Sequence, residues 1–435
     1  MSGFNRAVDR RGFLRGAAAL SSGAIVVPTF LRGLSARFAH AAETGTPLPK
    51  AGKGEGGYGT LFPTADLNDG VERLALPLGF SYVTFGIGGT TMSDGNITPF
   101  SHDGMAAFRL PNGNIRLIRN HEDRDVPADS TLKGDPATAY DPIGGGSCTS
   151  LEVEVTSSGE RRLVRDFISI NGTIVNCSDG PTPWGSWLTC EETTAGTEAG
   201  WRKAHGYVFE VPVLAEDEAP AMPYPALGRF SHEAIAVDPL SWVVYETEDA
   251  NPCGLYRFLP GQPGKLSEGG RLQMLAIKNR PGYDTRHDQR GGRPLLVEWV
   301  DIYNPDPADA ESDGSAVFQQ GFSRGGAMFS RLEGCWMRDK TLYFASTDGG
   351  NAEQGQIWEY RPLGPATGWL RLIFESSGSA VLSNPDNLTT SPRGGLVLYE
   401  DGELEHQFLR GLTADGRIFD FCQHLTAGNE WCGAT

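Results

Sequence analysis

Histidine is scarce in this chain, with 8 among 435 residues, and no HExxH pattern occurs. A zincin site is thereby excluded. Beyond residue 41 no apolar run is long enough to span a membrane, so no stable membrane insertion is expected. A GxSxG elbow, a P-loop and a GxGxxG in a βαβ setting are also missing, which argues against serine hydrolases, NTPases and dinucleotide enzymes. No sustained helical period runs through the sequence. Basic residues form no stripe, and the net charge is −17. That charge disfavours nucleic acid and anionic membranes as partners.

What is present is turn-rich and apolar in short runs: 57 Gly and 28 Pro punctuate a chain that is 39% hydrophobic. This texture points to an all-β protein with a sizeable core. Residues 1–41 stand apart. Arg10-Arg11-Gly12-Phe13-Leu14-Arg15 precedes a weakly apolar stretch, Gly16 to Phe30, and Ala39-His40-Ala41 supplies small residues for cleavage. The order resembles a twin-arginine export signal, so the export machinery is an expected partner and the periplasm or exterior the expected location. Residues 1–41 hold six Arg and one Asp, so the remaining chain carries −22. Residues 42–75 read as an extended leader over the surface, and 76–435 as the catalytic domain, expected as a monomer.

Within that domain a hairpin recurs five times. In each copy a polar residue opens an apolar strand, a tight turn follows, and a second strand ends in a carboxylate. The copies run from Asp103 to Glu122-Asp123, Cys177 to Glu191-Glu192, Glu233 to Glu248-Asp249, Glu333 to Asp348, and Asp386 to Glu400-Asp401. In an antiparallel hairpin the start of one strand lies roughly 5 Å from the end of the next. Each copy therefore brings two potential ligands to one edge. Ends at 122, 191, 248, 348 and 400 suit the period of a β-propeller blade, with one unit stretched.

One carboxylate at a strand end is usually a solvated turn residue. Many gathered at one channel mouth repel one another unless cations neutralise them. Glu122, Glu191, Glu192, Glu233, Glu248, Glu333, Asp348, Asp386 and Glu400 are the candidate oxygen ligands, a set suited to Ca²⁺ or Mg²⁺. Seven cysteines without CxxC spacing leave at least one unpaired. Cys177, inside a ligand-rich segment, is the candidate thiolate and brings in a softer transition metal, iron or zinc. His121 and His232 are expected to orient neighbouring carboxylates. Arg331 stands two residues before Glu333, placed to clamp a phosphate oxygen.

Several segments carry a family resemblance: Asn176-CSDGPTPWGSWLTCEE, Gly228-RFSHEAIAVDP, Tyr245-ETED, Arg331-LEG, Tyr343-FASTDGG and Asn384-PDNLTTSPRGGLVLYEDG. Together they resemble the signature segments of the PhoX-type alkaline phosphatases, over roughly residues 60–432. The resemblance implies an exported six-bladed propeller whose central mouth holds Fe³⁺ and Ca²⁺, and a small-molecule phosphate ester as substrate. It implies that Cys177 is an iron ligand, that Glu233 and Glu333 stand at the metals, and that Arg331 holds the phosphate. Glu191 or Glu192, Asp386 and Glu400 would complete the calcium shell. The family's usual closing stretch, Phe-Ser-Pro-Asp-Gly, does not follow Thr435, so the last blade is expected to lack its closing strand. Two other readings fit the acidic ring: a calcium-dependent lactonase, and a non-catalytic calcium-stabilised propeller that binds a partner.

Overall fold

The computed structural model describes residues 57–435 except 393, 403, 415, 428 and 429. Twenty-two strands dominate it, and the one α-helix, Ala316–Phe322, is short. The expectation of an all-β chain is met. No helix among the described residues is long and apolar enough to cross a membrane. The expected export signal lies outside the described residues.

The five hairpins of the sequence reading are the inner edges of the sheets. Their first strands are β3 (His102–Arg109), β7 (Asn176–Pro181), β10 (His232–Val237), β15 (Leu332–Arg338) and β19 (Pro385–Thr390). Their second strands are β4 (Ile115–His121), β8 (Ser186–Glu191), β11 (Val244–Glu248), β16 (Thr341–Ser346) and β20 (Leu396–Glu400). Each inner strand packs on the next, from β3 through β7, β10 and β15 to β19. Buried residues fill the spaces between successive sheets. Phe209 and Trp187 lie between the first two sheets, Phe230 and Phe258 between the next two, and Phe329, Trp358 and Tyr360 between the β10 and β15 hairpins, which belong to one nine-stranded sheet. A row of sheets sharing faces in this way is a propeller-like arrangement, and its central strands are largely buried. β10 accordingly has all six residues buried, and β16 likewise. Five inner hairpins, grouped in four sheets, are found among the described residues.

Closure differs from the expectation. The last sheet runs β19–β20–β21 (Phe408–Leu412)–β22 (Ile418–His424), then continues into β2 (Glu72–Pro77) and β1 (Leu61–Ala65). Leu74 pairs with His424 and Ala75 with Gln423. The segment expected as an extended leader therefore supplies the outer strands of the last blade. The physical reason is the exposed edge of β22, whose unpaired N–H and C=O groups take the nearest available strand. Leu76 is buried against Tyr399 and Cys422, which anchors this pairing.

The hairpins share a backbone device that aims their ends at one point. In all five, the ladder is regular at the first residue of the inner strand, breaks over the next two, and resumes at the fourth. Such a bulge turns its residues out of the pleat. The second residue of each strand thus leaves the ladder: Asp103, Cys177, Glu233, Glu333 and Asp386. The third is small or short, and the packing requires it. A Cβ on Gly104 would meet Ser178 Cα at 2.8 Å, and one on Gly334 would meet Asn387 Cα at 2.6 Å. Just before the strand, Ser101, Val175, Arg331 and Asn384 hold φ of 43–50°. For non-glycine residues this costs on the order of 1–3 kcal/mol each. It persists because the carbonyl at that position accepts a bond from the residue following the second strand: Glu122 N to Ser101 O, Glu192 to Val175, Asp249 to Ser231, Thr347 to Arg331 and Asp401 to Asn384, all at 2.8–3.0 Å.

Candidate metal centre

The bulged residues and the residues just past the second strands meet at one mouth. Five groups of three potential ligands form there, each with its atoms within 4.8 Å of one another. The groups are Asp103–Glu122–Cys177, Cys177–Glu192–Glu233, Glu233–Glu333–Asp386, Asp386–Asp401–Glu430 and Asp103–Glu430–Cys432. Each shares one member with the next, and the fifth returns to the first. The ten side chains therefore form a closed ring.

Cys177 is the node between two groups. Its Sγ lies 2.8 Å from Glu122 Oε1 and 3.0 Å from Glu192 Oε2. Burial, together with Glu192, Glu233, Glu122 and Asp103, pushes the thiol well above its ordinary value. Burial also raises Glu192, Glu233, Glu333 and Asp386, and carboxylate neighbours add to the rise in each case. Five acidic groups thus stand where none can ionise comfortably alone. A bound cation removes that conflict by supplying opposite charge, and its uptake releases protons. Donor chemistry fits the expected metals: the Glu233–Glu333–Asp386 group is all oxygen, as Ca²⁺ prefers, and the groups holding Cys177 add a sulfur that iron accepts.

Two guanidinium groups sit on this ring. Arg331 faces Asp249 with a fork, Nε to Oδ1 at 3.0 Å and Nη2 to Oδ2 at 3.1 Å, and Nη2 also donates to Glu333 Oε1 at 2.6 Å. Its side chain is 39% exposed, so the group is fixed from below and open above. Arg124 bridges Glu122 and Glu192.

Not every expected ligand arrives. Glu191, Glu248 and Glu400 are the last residues of their second strands, and their carboxylates turn away from the ring. Glu191 accepts from Ile174 N, Gly206 N and Tyr207 N. Glu248 accepts from Gly254 N and Tyr256 Oη, and Glu400 from Ser383 N, Phe408 N and Arg410 Nε. Each ties down the loop after its own strand. Side chains alternate faces along a strand, so the following acid, Glu192, Asp249 or Asp401, is the one that reaches the mouth. In the fourth hairpin Thr347 takes that place, and Asp348, one residue further, joins no ligand group.

The histidines also depart from expectation. His121 bonds Phe100 O and Thr149 Oγ1 rather than a carboxylate; His232 bonds Gly228 O, and its Nδ1 stands 3.6 Å from Glu246 Oε2, beyond hydrogen-bond distance. The histidine that orients an acid is His205, with Nδ1 2.6 Å from Glu191 Oε1 and Nε2 3.3 Å from Asp141 Oδ2. Burial opposes its charge, but Glu191 and Asp141 outweigh it and raise it from 6.5 to about 9. A raised value in the folded state stabilises the fold fully below pH 6.5, and the contribution is lost as pH climbs through 9. The shift corresponds to about 3 kcal/mol. Urea unfolding at pH 7 and pH 10 should show wild type losing that much more than His205→Asn; an equal loss in both would remove His205 from the account.

Sequence reading missed Glu430 and Cys432 outright, while Asp103, Asp249 and Asp401 entered it only as hairpin boundaries. The final residues lie between the last hairpin and the first. Trp431 N donates to Glu400 O, its Nε1 to Gln407 O, and Tyr399 Oη donates to Ala434 O. On the far side Cys432 Sγ lies 2.8 Å from His102 O. A signal for Asp103 did exist, an acid or thiol followed by a small or short residue at every hairpin start: DG, CS, EA, EG and DN.

Blades around an acidic mouth, with a rim arginine held in a fork, define a propeller built to hold cations and an anionic ligand. Family comparison narrows this: residues 56–433 match the alkaline phosphatase PhoX family, and the chain belongs to it. It is a hydrolase of phosphate monoesters. Among solved structures, Pseudomonas fluorescens PhoX in complex with vanadate, a transition state analogue, is similar at 18% identity and a TM-score of 0.62. That likeness covers 86% of this chain and 90% of the other. A putative 6-phosphogluconolactonase from Bacteroides uniformis is similar at 12% identity and a TM-score of 0.37, over 83% and 94% of the two chains. The periplasmic gluconolactonase PpgL of Pseudomonas aeruginosa is similar at 13% and 0.37, over 89% and 98%. No curated protein sequence matches.

Proposed function

We propose that this chain is an exported alkaline phosphatase that depends on iron and calcium and holds its substrate phosphate at the mouth of the propeller. The observation that carries this reading is the closed ring of acid and thiol groups with Arg331 forked onto it. Cys177 with Glu122, Glu192 and Glu233 would hold iron, and Glu333, Asp386, Asp401 and Glu430 would hold calcium. When bound, these cations supply Lewis acidity and offset the negative charge of the phosphoryl group.

The chain's own groups do the rest. Arg331 Nε and Nη2 are committed to Asp249 and Glu333, which leaves Nη1 and the open face for a phosphate oxygen. Held by its two carboxylates, the guanidinium needs no reorientation as charge builds on the phosphoryl oxygens. Asp249 and Glu333 therefore act as positioning residues for Arg331. No serine, cysteine or threonine nucleophile is required. Membership of the phosphatase family sets aside the lactonase and scaffold readings.

The direct test uses purified protein loaded with iron and calcium. It should release phosphate from p-nitrophenyl phosphate at alkaline pH, lose that activity on chelation and regain it on reloading. Folded, loaded protein that releases no phosphate would overturn the proposal. Elemental analysis should find both metals; calcium alone would count against the role of Cys177.

A further inference from the structure

Beside the mouth lies a cleft of about 630 Å³ that the phosphate site does not use. It adjoins the ring directly: His121, Asp123 and Arg124 line it, and Glu122 sits between them in sequence. Its wall is unusual for a surface so rich in carboxylates. Phe100 is 70% exposed and Ile97 53% exposed, and both line the cleft. Phe100 is seated rather than loose. One side of its ring lies against Gly88 and Gly89, where an added Cβ would come within 2.7 and 3.1 Å of ring atoms. The Phe100 carbonyl, in turn, is held at 3.0 Å by the buried ring of His121. An aromatic side chain seated on backbone and exposed along the cleft offers a surface on which a flat ring can stack.

The charges on the wall say what the occupant lacks. Lys133 Nζ is 3.0 Å from Asp123 Oδ2, and Arg124 is committed to Glu122 and Glu192. Each cation already faces carboxylate charge, so the wall offers little net positive charge to a second phosphate. Asn96, Ser101 and Thr131 contribute uncharged polar groups. The volume lies in the range of small-molecule sites, about 300–1,000 Å³.

We propose that this cleft receives the alcohol of the phosphate ester and favours one with a flat ring and polar edges, as in a nucleoside monophosphate. The inference rests on the phosphomonoesterase reading and adds a substrate class to it. A nucleoside polyphosphate fits less well, because its extra charge would meet Asp123 and Asp125 while Lys133 and Arg124 already face carboxylates.

Two alkyl esters of comparable intrinsic reactivity, adenosine 5′-monophosphate and glycerol 3-phosphate, test it. With Phe100→Ala, KM for the nucleotide should rise about tenfold, the scale of one lost base–aromatic stack. KM for glycerol 3-phosphate should move less than about twofold, with kcat for both unchanged. Ile97→Ala should act in the same direction by less. Both side chains are exposed, so melting temperatures should match wild type. Equal shifts for the two esters, or none for the nucleotide, would overturn the proposal. If wild type hydrolyses neither ester, the phosphatase reading fails on its own. The cleft is then tested by calorimetry on metal-loaded protein: phenylphosphonate binding more tightly than methylphosphonate, with the preference lost in Phe100→Ala, upholds it, and equal binding refutes it.

Discussion

Cys177→Ala protein is expected to lose its iron and, with it, more than about 10²-fold in kcat, since changes even to the partners of metal ligands cost 10–100-fold. Cys177 is shared by two adjacent ligand groups, so its removal opens the ring at a node rather than at a margin. Cys190 joins no ligand group, with its Sγ 3.5 Å from Glu233 O, and Cys432 belongs to the neighbouring group that shares Asp103. The fold should tolerate the change. Only one small buried atom disappears, a loss on the order of 1 kcal/mol. Cys177→Ser separates the two metals: the hydroxyl keeps the volume and an oxygen, so calcium should remain while iron and its visible absorption go. Elemental analysis and the visible spectrum read this outcome. Iron retained in both variants would dismiss the thiolate assignment.

Arg331→Ala should lower kcat/KM by about 10²–10³-fold, the usual cost of removing one preorganised donor to a charged transition state. Arg331→Lys should recover only part, because an ammonium cannot reproduce a fork to Asp249 while reaching Glu333 and the substrate. Stability should fall by on the order of 1 kcal/mol, since the side chain is 39% exposed and solvent screens the pair. The decisive comparison is vanadate or phosphate affinity in variants that keep full metal content. Weakened binding with intact metals assigns the clamp; unchanged binding withdraws it. Asp249→Asn should show a milder version of the same defect, as it loosens the fork without removing the donor.

Much of this site was visible in the chain itself. The hairpins were legible because an apolar strand, a turn and a second apolar strand form a local pattern. Opening and closing residues then come together without any knowledge of the rest of the molecule. Cys177, Glu233, Glu333 and Asp386 were found this way, and all four occupy the bulged second position. The errors fell at the other end of the hairpin. At Glu248-Asp249 and Glu400-Asp401 two acids are adjacent, and which one faces the channel depends on where the ladder ends. A slip of one residue exchanges the faces. Glu248, chosen from sequence, is buried among Gly254 N and Tyr256 Oη, and Asp249 holds Arg331.

The amino-acid sequence by itself determined the strand content and the five hairpins with the residues that open them, because each hairpin depends on contacts within about twenty residues of chain; the fork of Arg331 onto Asp249 spans 82 residues and was decided by the tertiary structure. Only the tertiary structure decided how the ring closes. β2 pairs with β22 across some 350 residues, and Glu430 and Cys432 reach Asp103 from the opposite end of the chain. Those partners share no local pattern; they are brought together by the unsatisfied edge of the last sheet and by the space between the first and last hairpins.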